Sequence, residues 1–248
     1  TRLTKRFHKA CADYTLLADG DHVLIGLSGG KDSLLLTELL GRRAKIYKPK
    51  FSVTALHVRV KERDYHTDLT YLERFCAEAG VPLIVRDTEI GETTTDRVGS
   101  TVQHACSNPC FLCSWYRRKM LFNTAQELGC NKIALGHHLD DAAETFIMNL
   151  FGNGRAECFS PVSYLSRKDL YMIRPMVFAY ESDITRVANK ENVPIVESKC
   201  PADEKTNRED TKNLLRDLEK RYPALRQKII GGMQRGNISG WGIDQSNK

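Results

Sequence analysis

The sequence predicts an α/β protein with a parallel sheet covered by helices on both faces, and three observations support this fold class. Short apolar runs rich in β-branched residues alternate with segments of helical periodicity as far as Pro194. The first run, HVLIGL at 22–27, ends in a Ser-Gly-Gly turn that opens a helix. The chain of 248 residues is long enough to bury a core without disulfides. Such alternation is typical of βαβ units, in which crossover helices connect parallel strands.

The elements follow one another in a regular order. A basic amphipathic helix is predicted over residues 1–18. Strands are predicted at 22–27, 51–58, 81–87, 132–137 and 171–176, and helices at 31–46, 66–80, 109–129, 140–151 and 181–193. Residues 88–108 are predicted to be irregular. After a loop that starts at Glu197, helical periodicity returns and is interrupted at Pro223, because proline cannot continue a helix interior.

Composition and patterning predict how the chain is divided and where it works. We expect a basic helix at 1–20, an α/β domain at 21–196, a loop and helices at 197–236 and a flexible tail at 237–248. With 41% hydrophobic and 27% charged residues the chain is neither disordered nor fibrous. It has no apolar run long enough to cross a membrane and its start lacks a signal-peptide core, so we expect a cytoplasmic protein. The net charge of +6 permits a polyanionic partner.

The segment SGGKDS at 28–33 has the features of a phosphate-binding loop. It follows the first strand and opens a helix, at the sheet edge where open α/β folds bind ligands. Gly29 and Gly30 let the backbone approach an anion, the helix N-terminus offers free N–H groups, and Lys31 adds a positive charge. A Walker A loop would need Gly in place of Ile25 and Ser or Thr in place of Asp32. The alternative is a strand-to-helix turn that binds nothing.

The segment GHHLDD at 136–141 brings polar side chains to the end of the fourth strand. Asp140, together with Asp32, offers the hard oxygen ligands that suit Mg²⁺ on a nucleotide. Acids at a helix N-terminus also favour the helix dipole without any ligand, so the same residues have a structural interpretation. His137 and His138 could be core or capping residues.

The cysteines suggest a metal site. Cys110 and Cys113 follow Asn108-Pro109, a helix start, and lie one turn apart, where the helix dipole and nearby Arg117 favour thiolates. A CxxC alone could be half of a zinc site, a redox pair or a coincidence. Cys200, in the polar loop ESKCPADE, is the candidate third ligand, with Cys106 as its rival. Three thiolates could hold a [4Fe–4S] cluster and leave one iron without a protein ligand. The other cysteines are interpreted as buried hydrophobic residues, at 11, 76, 130 and 158.

Several of these motifs match a known group of enzymes. SGGKDS, ALHV at 55–58 and GHHLDD resemble segments of the PP-loop ATP pyrophosphatases, which cleave ATP between the α and β phosphates. With the CxxC, IRPM at 173–176, the lone Cys200 and LLRDLEKRYP at 214–223, the chain resembles the TtcA family, which makes 2-thiocytidine in tRNA. The resemblance implies an ATP- and Mg²⁺-dependent sulfurtransferase. It also implies a [4Fe–4S] cluster on Cys110, Cys113 and Cys200, and a target cytidine at position 32 of the anticodon loop.

The resemblance and the motifs together give each residue an expected role. Catalysis is assigned to Lys31, Asp32, Asp140 and Arg117. Nucleotide binding is assigned to Ser28, Gly29, Gly30, Lys31, Asp32, Ser33, Leu56, His57, Val58, Gly136 and His137. Phosphate contacts with tRNA are assigned to Lys5, Arg6, Lys9, Arg118, Lys212, Arg216, Lys220 and Arg221, each of which alone is more often a solvated charge. Trp115 and Tyr116 could stack on a base, but a helix-core position is expected. The expected partners are tRNA, a sulfur donor (a cysteine desulfurase or sulfide) and a second copy in a homodimer, with no membrane partner.

Three other functions stay open. Thiolation of a tRNA uridine uses similar chemistry, but the related uridine thiolases carry paired CxxC zinc-binding ends that this chain lacks. A different PP-loop ligase would make the cysteines incidental and would contain no iron. A nucleotide-binding iron–sulfur redox sensor would hold a cluster but would not release pyrophosphate.

Overall fold

The computed structural model describes residues 1–60, 68–89, 93–95, 101–103, 109–193 and 207–243, and shows an α/β fold. A six-stranded sheet has the order β3-β2-β1-β6-β8-β7. Its strands are β1 (His22–Gly26), β2 (Ser52–Val60), β3 (Leu83–Thr88), β6 (Lys132–Ala134), β7 (Val162–Leu165) and β8 (Leu170–Ile173). A separate antiparallel pair consists of β4 (Thr93–Thr95) and β5 (Thr101–Gln103). The helices are α1 (Arg2–Asp13), α2 (Lys31–Ala44), α3 (Leu69–Ala79), α4 (Pro109–Glu127), α5 (Leu139–Asn153), α6 (Glu181–Lys190), α7 (Asn207–Arg221) and α8 (Leu225–Arg235).

The central strand β1 separates two apolar cores, which confirms the predicted fold class. Its neighbours β2 and β6 both pair with it in parallel. Val23 and Ile25 point into a large core that contains α1 and α2, whereas Leu24 points into a smaller core that contains α4. Because successive side chains of a strand alternate between faces, a strand that is apolar throughout must be covered on both sides. All three residues are fully buried.

Some elements differ from the predictions. The edge strand β7 is antiparallel to β8, so the sheet is not wholly parallel. The stretch at 88–108, predicted to be irregular, contains the β4–β5 pair. Helix α1 ends at Asp13 rather than at residue 18, because Thr15 has a φ of 47° and the chain leaves the helical conformation there. The helices on either side of Pro223 are confirmed as α7 and α8.

The segment predicted as a flexible tail packs into the core at Trp241. This side chain is fully buried, and its Nε1 donates to Phe159 O at 2.8 Å. Tyr14 OH donates to Trp241 O at 3.0 Å, which connects the segment to the end of α1. The sequence was misleading here because glycine and serine surround the tryptophan. Residues 244–248 lie outside the described part of the chain. Among the helices of the described ranges, none is long and apolar enough to cross a membrane.

Candidate nucleotide and metal site

The loop at 28–33 connects β1 to α2 and is braced by its own serines. Ser28 N donates to Ser33 Oγ at 3.1 Å, and Gly30 N donates to Ser28 Oγ at 3.3 Å. Ser33 Oγ donates in turn to Gly30 O at 3.0 Å. Gly29 has a φ of 89°, a conformation that L side chains rarely adopt. The two serines and the glycine therefore fix the turn that the sequence predicted, at the carboxyl end of the central strand.

The first turn of α2 is open to an anion. Gly30 is the N-cap and has no side chain to cap the helix, and the first amide bonded within the helix is Leu34 N, which donates to Gly30 O at 3.1 Å. The preceding N–H groups of the first turn have no carbonyl one turn earlier to bond to. Together with the positive end of the helix dipole, they form a site suited to phosphate oxygens.

Lys31 and Asp32 place a charge pair beside these amides. Lys31 Nζ lies 3.4 Å from Asp32 Oδ2 and 3.4 Å from Glu181 Oε1 at the start of α6. Asp32 Oδ1 is buried without a hydrogen-bond donor. Burial raises the pKa of Asp32, and the charges of His138 and Lys31 oppose this only in part. A buried carboxylate oxygen with no donor is well suited to a cation.

The end of β6 lies directly against this loop. A Cβ added to Gly136 would lie 3.2 Å from the carbonyl carbon of Asp32 and 3.3 Å from Ser33 N. Two residues later His138 caps α5: its Nδ1 accepts from Asp141 N at 3.3 Å, and its own N–H donates to Asp141 Oδ2 at 2.8 Å. His138 is thus the capping residue that the structural interpretation of GHHLDD predicts.

Asp140 is engaged by protein partners at both oxygens. Its Oδ2 accepts from Glu181 N at 2.7 Å, and its Oδ1 lies 3.1 Å from Arg226 Nε on α8. The side chain is only 12% exposed. Asp140 therefore joins α5, α6 and α8, and this geometry makes it a weaker candidate than Asp32 for the Mg²⁺ ligand that the sequence assigned to both.

The residues assigned in β2 lie where β1 has already ended. Leu27 N donates to Leu56 O at 2.9 Å, and the register of β1 with β2 stops at the pair Gly26 and Leu56. His57 Nδ1 donates to Leu27 O at 2.8 Å, and burial lowers the pKa of His57. The side chains of Leu56 and Val58 are buried. Any contact of this segment with a nucleotide is therefore made by its backbone, at the edge that β1 leaves uncovered.

Helix α4 carries Cys113 to the same edge of the sheet. The helix runs antiparallel to the strands, since it leads directly into β6, and Leu121 packs within 3.4 Å of the Cβ position of Gly26. Cys113 lies eight residues before Leu121, about 12 Å beyond the end of β1 at 1.5 Å per residue. It is a free cysteine and is buried. Arg117 lies one turn later, close enough to His57 for its charge to contribute to the lowered pKa of that histidine.

The other proposed ligands cannot be placed. Cys110 belongs to α4, but its side chain lies outside the described part of the chain, as do Cys106 and Cys200 entirely. Within the described ranges, no three His, Cys, Asp or Glu side chains come together as a metal centre. Cys76 and Cys130 are buried, and Cys11 and Cys158 are half-buried, in agreement with a structural role for these cysteines.

Two further buried groups lie at this edge of the sheet. Arg174, at the end of β8, is 7% exposed, and burial lowers its pKa to about 10. His137 has a buried Nδ1 without a hydrogen-bond partner, and burial lowers its pKa to about 4, so it is neutral at pH 7. The sequence analysis assigned His137 to the nucleotide. It noted the IRPM motif, which contains Arg174, but the motif does not indicate that this arginine is buried.

The structure divides the cations assigned to tRNA between two surfaces. Arg6 pairs with Asp183 and lies 4.1 Å from the ring centroid of Tyr180, and Lys9 pairs with Asp13. These two line one groove with Lys228 and Arg235 of α8, which the sequence analysis missed because they lie far along the chain. Lys212 Nζ bonds Glu181 Oε2 at 2.9 Å, close to Lys31. The remaining assigned cations are exposed, namely Lys5, Arg118, Arg216, Lys220 and Arg221.

A serine-braced, glycine-capped helix start at the switch point of a mainly parallel sheet defines an α/β nucleotide-binding protein of the PP-loop class. Residues 1–219 match the family description of the PP-loop domain. The chain is 33% identical to a tRNA-cytidine(32) 2-sulfurtransferase of Syntrophotalea carbinolica, over 96% of this chain and 89% of that protein. It is 32% identical to the enzyme of the same name from Saccharophagus degradans, over 96% and 75% of the two chains. The chain belongs to the PP-loop family and, within it, to the family of these sulfurtransferases.

A solved structure is also similar. The U34-tRNA thiolase NcsA of Methanococcus maripaludis, determined with its [4Fe–4S] cluster, superposes with a TM-score of 0.74 at 25% identity. The similarity covers 94% of this chain and 78% of that one. The resemblance inferred from the motifs is thereby confirmed at the level of the family.

Proposed function

We propose that this chain is a tRNA sulfurtransferase that uses ATP to adenylate the C2 oxygen of cytidine 32 and replaces that oxygen with sulfur. The observation that carries the proposal is that the loop at 28–33 and the start of α4, with Cys113, lie at the same edge of the sheet. One edge thus offers a phosphate site and a thiol of the CxxC, as a reaction that couples ATP to sulfur transfer requires. The names of the relatives support cytidine 32 as the target.

The phosphate loop would act on the leaving pyrophosphate. A pyrimidine C2 oxygen is a poor leaving group, and transfer of AMP to it makes departure possible while negative charge builds on pyrophosphate. The open amides of α2 and Lys31 offset that charge without rearranging. Lys31 Nζ already contacts the carboxylates of Asp32 and Glu181. A phosphate that binds at the loop would therefore compete with Glu181 for this lysine. Asp32, with its donor-free Oδ1, is the proposed Mg²⁺ ligand.

The nucleoside part of ATP would lie along β2. Beyond Leu56 the edge of β2 that faces β1 has no strand beside it, so peptide groups at Val58 can read the edge of adenine. Buried His57 holds Leu27 O and thereby the start of the phosphate loop. Gly136 and His137 close the site from β6, where any side chain at position 136 would contact the loop. In this proposal the α-phosphate would lie between the loop and the start of α4.

Cys110, Cys113 and Cys200 are the proposed ligands of a [4Fe–4S] cluster. Cys113 fits as a free, buried cysteine near the start of α4. Arg208 pairs with Asp141 in the first turn of α5, and the eight residues back to Cys200 span at most about 28 Å, which limits how far Cys200 can lie from that turn. A cluster held by three thiolates would supply an iron without a protein ligand, which could bind exogenous sulfur. Arg117, one turn after Cys113 and close enough to His57 to influence its pKa, would orient the activated base.

Two further partners complete the proposal. The sulfur would come from sulfide, or from the persulfide of a cysteine desulfurase together with a thiol that reduces its outer sulfur to the level of sulfide. The tRNA would be held through its phosphates by exposed cations, with the target base taken out of the loop stack. The homodimer expected from the sequence stays a prediction.

Anaerobic reconstitution tests this function directly. The protein is incubated with ATP, Mg²⁺, sulfide and unmodified tRNA, and the digested nucleosides are analysed by mass spectrometry for 2-thiocytidine, with AMP and pyrophosphate measured in parallel. Iron and sulfide are determined for the native chain and for Cys110→Ser, Cys113→Ser and Cys200→Ser, with Cys106→Ser and the buried Cys130→Ser as controls. The proposal expects loss of iron and thiolation in the first three variants only. Thiolation that persists in all three would refute it.

Uridine thiolation is the second candidate, because the similar solved structure is a U34 thiolase. A tRNA with uridine substituted at position 32 and a tRNA with a cytidine there, each with U34 present, separate the two. Formation of 2-thiouridine at position 34 with no 2-thiocytidine would replace the cytidine assignment.

A further inference from the structure

A groove separates the middle of α4 from the hairpin formed by β7 and β8. Its volume is about 710 Å³, and it is lined on the helix side by Trp115, Arg118, Lys119, Phe122 and Asn123 and on the hairpin side by residues 164–168. From Trp115 to Asn123 the helix rises about 12 Å, which matches about three stacked nucleotides at 3.4 Å each. We call this feature the α4–hairpin groove.

Two aromatic rings are available in this groove. Trp115 is 37% exposed rather than a core residue, contrary to the expectation from the sequence, and Tyr164 is 52% exposed. The Tyr164 ring lies 4.8 Å from that of Tyr171, with an angle of 37° between the ring planes. Its hydroxyl donates to Asp169 at 2.8 Å, so the ring is held in place. Exposed and oriented aromatic faces are what bases stack on in single-stranded nucleic acids.

The charges of the groove are of one sign. Arg118, Lys119, Arg167 and Lys168 line it, and its lining contains no acid within the described part of the chain. Lys119 Nζ lies 5.2 Å from the Trp115 ring, and Lys168 Nζ donates to Gln126 Oε1 at 3.1 Å. The nearest acid on the hairpin, Asp169, is occupied by the Tyr164 hydroxyl. Four cations around two aromatic faces are complementary to a phosphate backbone with unpaired bases.

We propose that the α4–hairpin groove binds the unpaired nucleotides that flank the target base in the RNA substrate. This inference rests on the proposed function and adds the surface that holds the loop. Trp115 follows Cys113 by two residues, so the groove begins about 3 Å further along the axis of α4 than this proposed cluster ligand, on another face of the helix. Arg118 is close enough to buried Arg174 for its charge to help lower the pKa of that residue, which connects the groove to the edge of β8. The groove then leads away from the nucleotide site along α4.

The groove between α1 and α8 fits unpaired bases less well. It too is lined by cations, but Arg6 lies 4.1 Å from the ring centroid of Tyr180 and Lys9 lies 5.4 Å from that of Phe178, which is itself buried. Phe178 is buried and Tyr180 is half-buried, so these two rings offer less open face to a base than Trp115 and Tyr164 do. That surface therefore suits phosphates of a stem, whereas the α4–hairpin groove suits a loop.

Binding of a synthetic anticodon stem-loop tests the proposal. Trp115→Ala and Tyr164→Ala are each expected to weaken binding about tenfold, since loss of one stacking platform costs roughly 1–3 kcal/mol, and a tenfold change corresponds to about 1.4 kcal/mol. Trp115→Phe keeps an aromatic face and should stay within about threefold of native. Tyr47→Ala, at a side chain 83% exposed outside the groove, is the matched control and should not change binding. A blunt duplex with the stem sequence should be bound equally by all variants.

Charge is tested separately by salt dependence. Lys119→Gln with Arg167→Gln should lower the slope of log affinity against log salt by about 1.4, since each phosphate contact to a single strand contributes about 0.7. Lys190→Gln, at an exposed cation of α6 outside the groove, should leave the slope unchanged.

The outcomes separate this inference from the proposed function. Iron content and ATP affinity are measured for every variant. If Trp115→Ala loses iron, stem-loop binding by Tyr164→Ala is the deciding measurement. If the native chain binds the stem-loop and thiolates tRNA while Tyr164→Ala and the charge variant behave like their controls, the groove proposal is overturned alone. If the native chain neither binds nor thiolates any tRNA, the proposed function itself fails.

Discussion

Gly136→Ala is expected to damage the phosphate loop by contact alone. Gly136 does not have the positive φ that alanine would resist, so the backbone of β6 can accept the substitution. The new methyl group, however, would lie 3.2 Å from Asp32 C, 3.3 Å from Asp32 O and 3.3 Å from Ser33 N. Carbon atoms pack best at about 3.5–4.0 Å, so the start of α2 must recede by roughly 0.3–0.5 Å.

The expected loss of ATP affinity follows from the role of the Asp32–Ser33 peptide in the proposed phosphate site. In the proposed site the amides at the start of α2 would bind phosphate at hydrogen-bond distances, and a shift of a few tenths of an ångström would lengthen each of those bonds. We expect ATP affinity to fall about tenfold, equivalent to about 1.4 kcal/mol. Overpacking is expected to lower the free energy of unfolding by about 1–3 kcal/mol.

A matched variant makes the measurement decisive. Gly152→Ala places the same methyl group in α5 with no atom within 4 Å, and should raise helix stability by up to about 1 kcal/mol without changing ATP affinity. Calorimetry gives the Kd for ATP, and urea unfolding gives stability. A Gly136→Ala variant that is destabilised yet binds ATP within twofold of Gly152→Ala would refute the assignment of the loop at 28–33 to phosphate.

Three further outcomes are expected. Asp32→Asn should leave the free energy of unfolding at pH 7 unchanged or higher, because burial already raises the pKa of Asp32. The same variant should lower thiolation at least about 100-fold, and unchanged activity would remove Asp32 from the Mg²⁺ site. Glu181→Gln frees Lys31 and Lys212 and should tighten binding of pyrophosphate, measured by competition with ATP; weaker binding would contradict this. The pKa of His137 is depressed to about 4, so its stabilising contribution is present above pH 6.5 and lost as pH falls towards 4. Between pH 7 and pH 5, the free energy of unfolding of the native protein, measured with urea, should therefore fall by about 2 kcal/mol more than that of His137→Asn. Equal decreases in the two proteins would disprove this.

The positions of the loop and of the central strands could be predicted because their signals are local. Apolar runs followed by SGGKDS fix both the strand and the helix start, and the structure has β1 and α2 at those positions. The edge strand β7 was missed because its turn contains no glycine: Asp169 takes the positive φ of 49° that usually reveals a hairpin. The β4–β5 pair has three-residue strands, which are too short to give a periodic pattern.

The partners of the acids could not be predicted, because they come from distant parts of the sequence. Asp140 looked like a free carboxylate after a strand, and only folding brings Arg226 and the amide of Glu181 to it. Likewise, Trp115 lies in a helical pattern that suggested a buried face, yet the hairpin stops short of covering it. Periodicity assigns a face to a helix but does not say how much of that face its neighbours cover.

The contacts of these acids explain how one sheet edge can serve two chemistries. Arg208 bonds Glu144 at 3.1 Å and pairs with Asp141, and Lys212 bonds Glu181 at 2.9 Å, so the start of α7 is fastened beside Lys31. Burial raises the pKa of Glu144, and the Arg208 guanidinium offsets this only in part, so the ion pair with α7 compensates some of the cost of burying this carboxylate. The acids of GHHLDD and α6 thus hold the segment that follows Cys200 against the nucleotide site. Glu181 pairs both with Lys31, beside the phosphate loop, and with Lys212, in the helix that follows Cys200. A phosphate that draws Lys31 away would leave Glu181 to Lys212. Within the proposed function, binding of ATP would therefore strengthen the docking of α7, the helix that follows the proposed ligand Cys200.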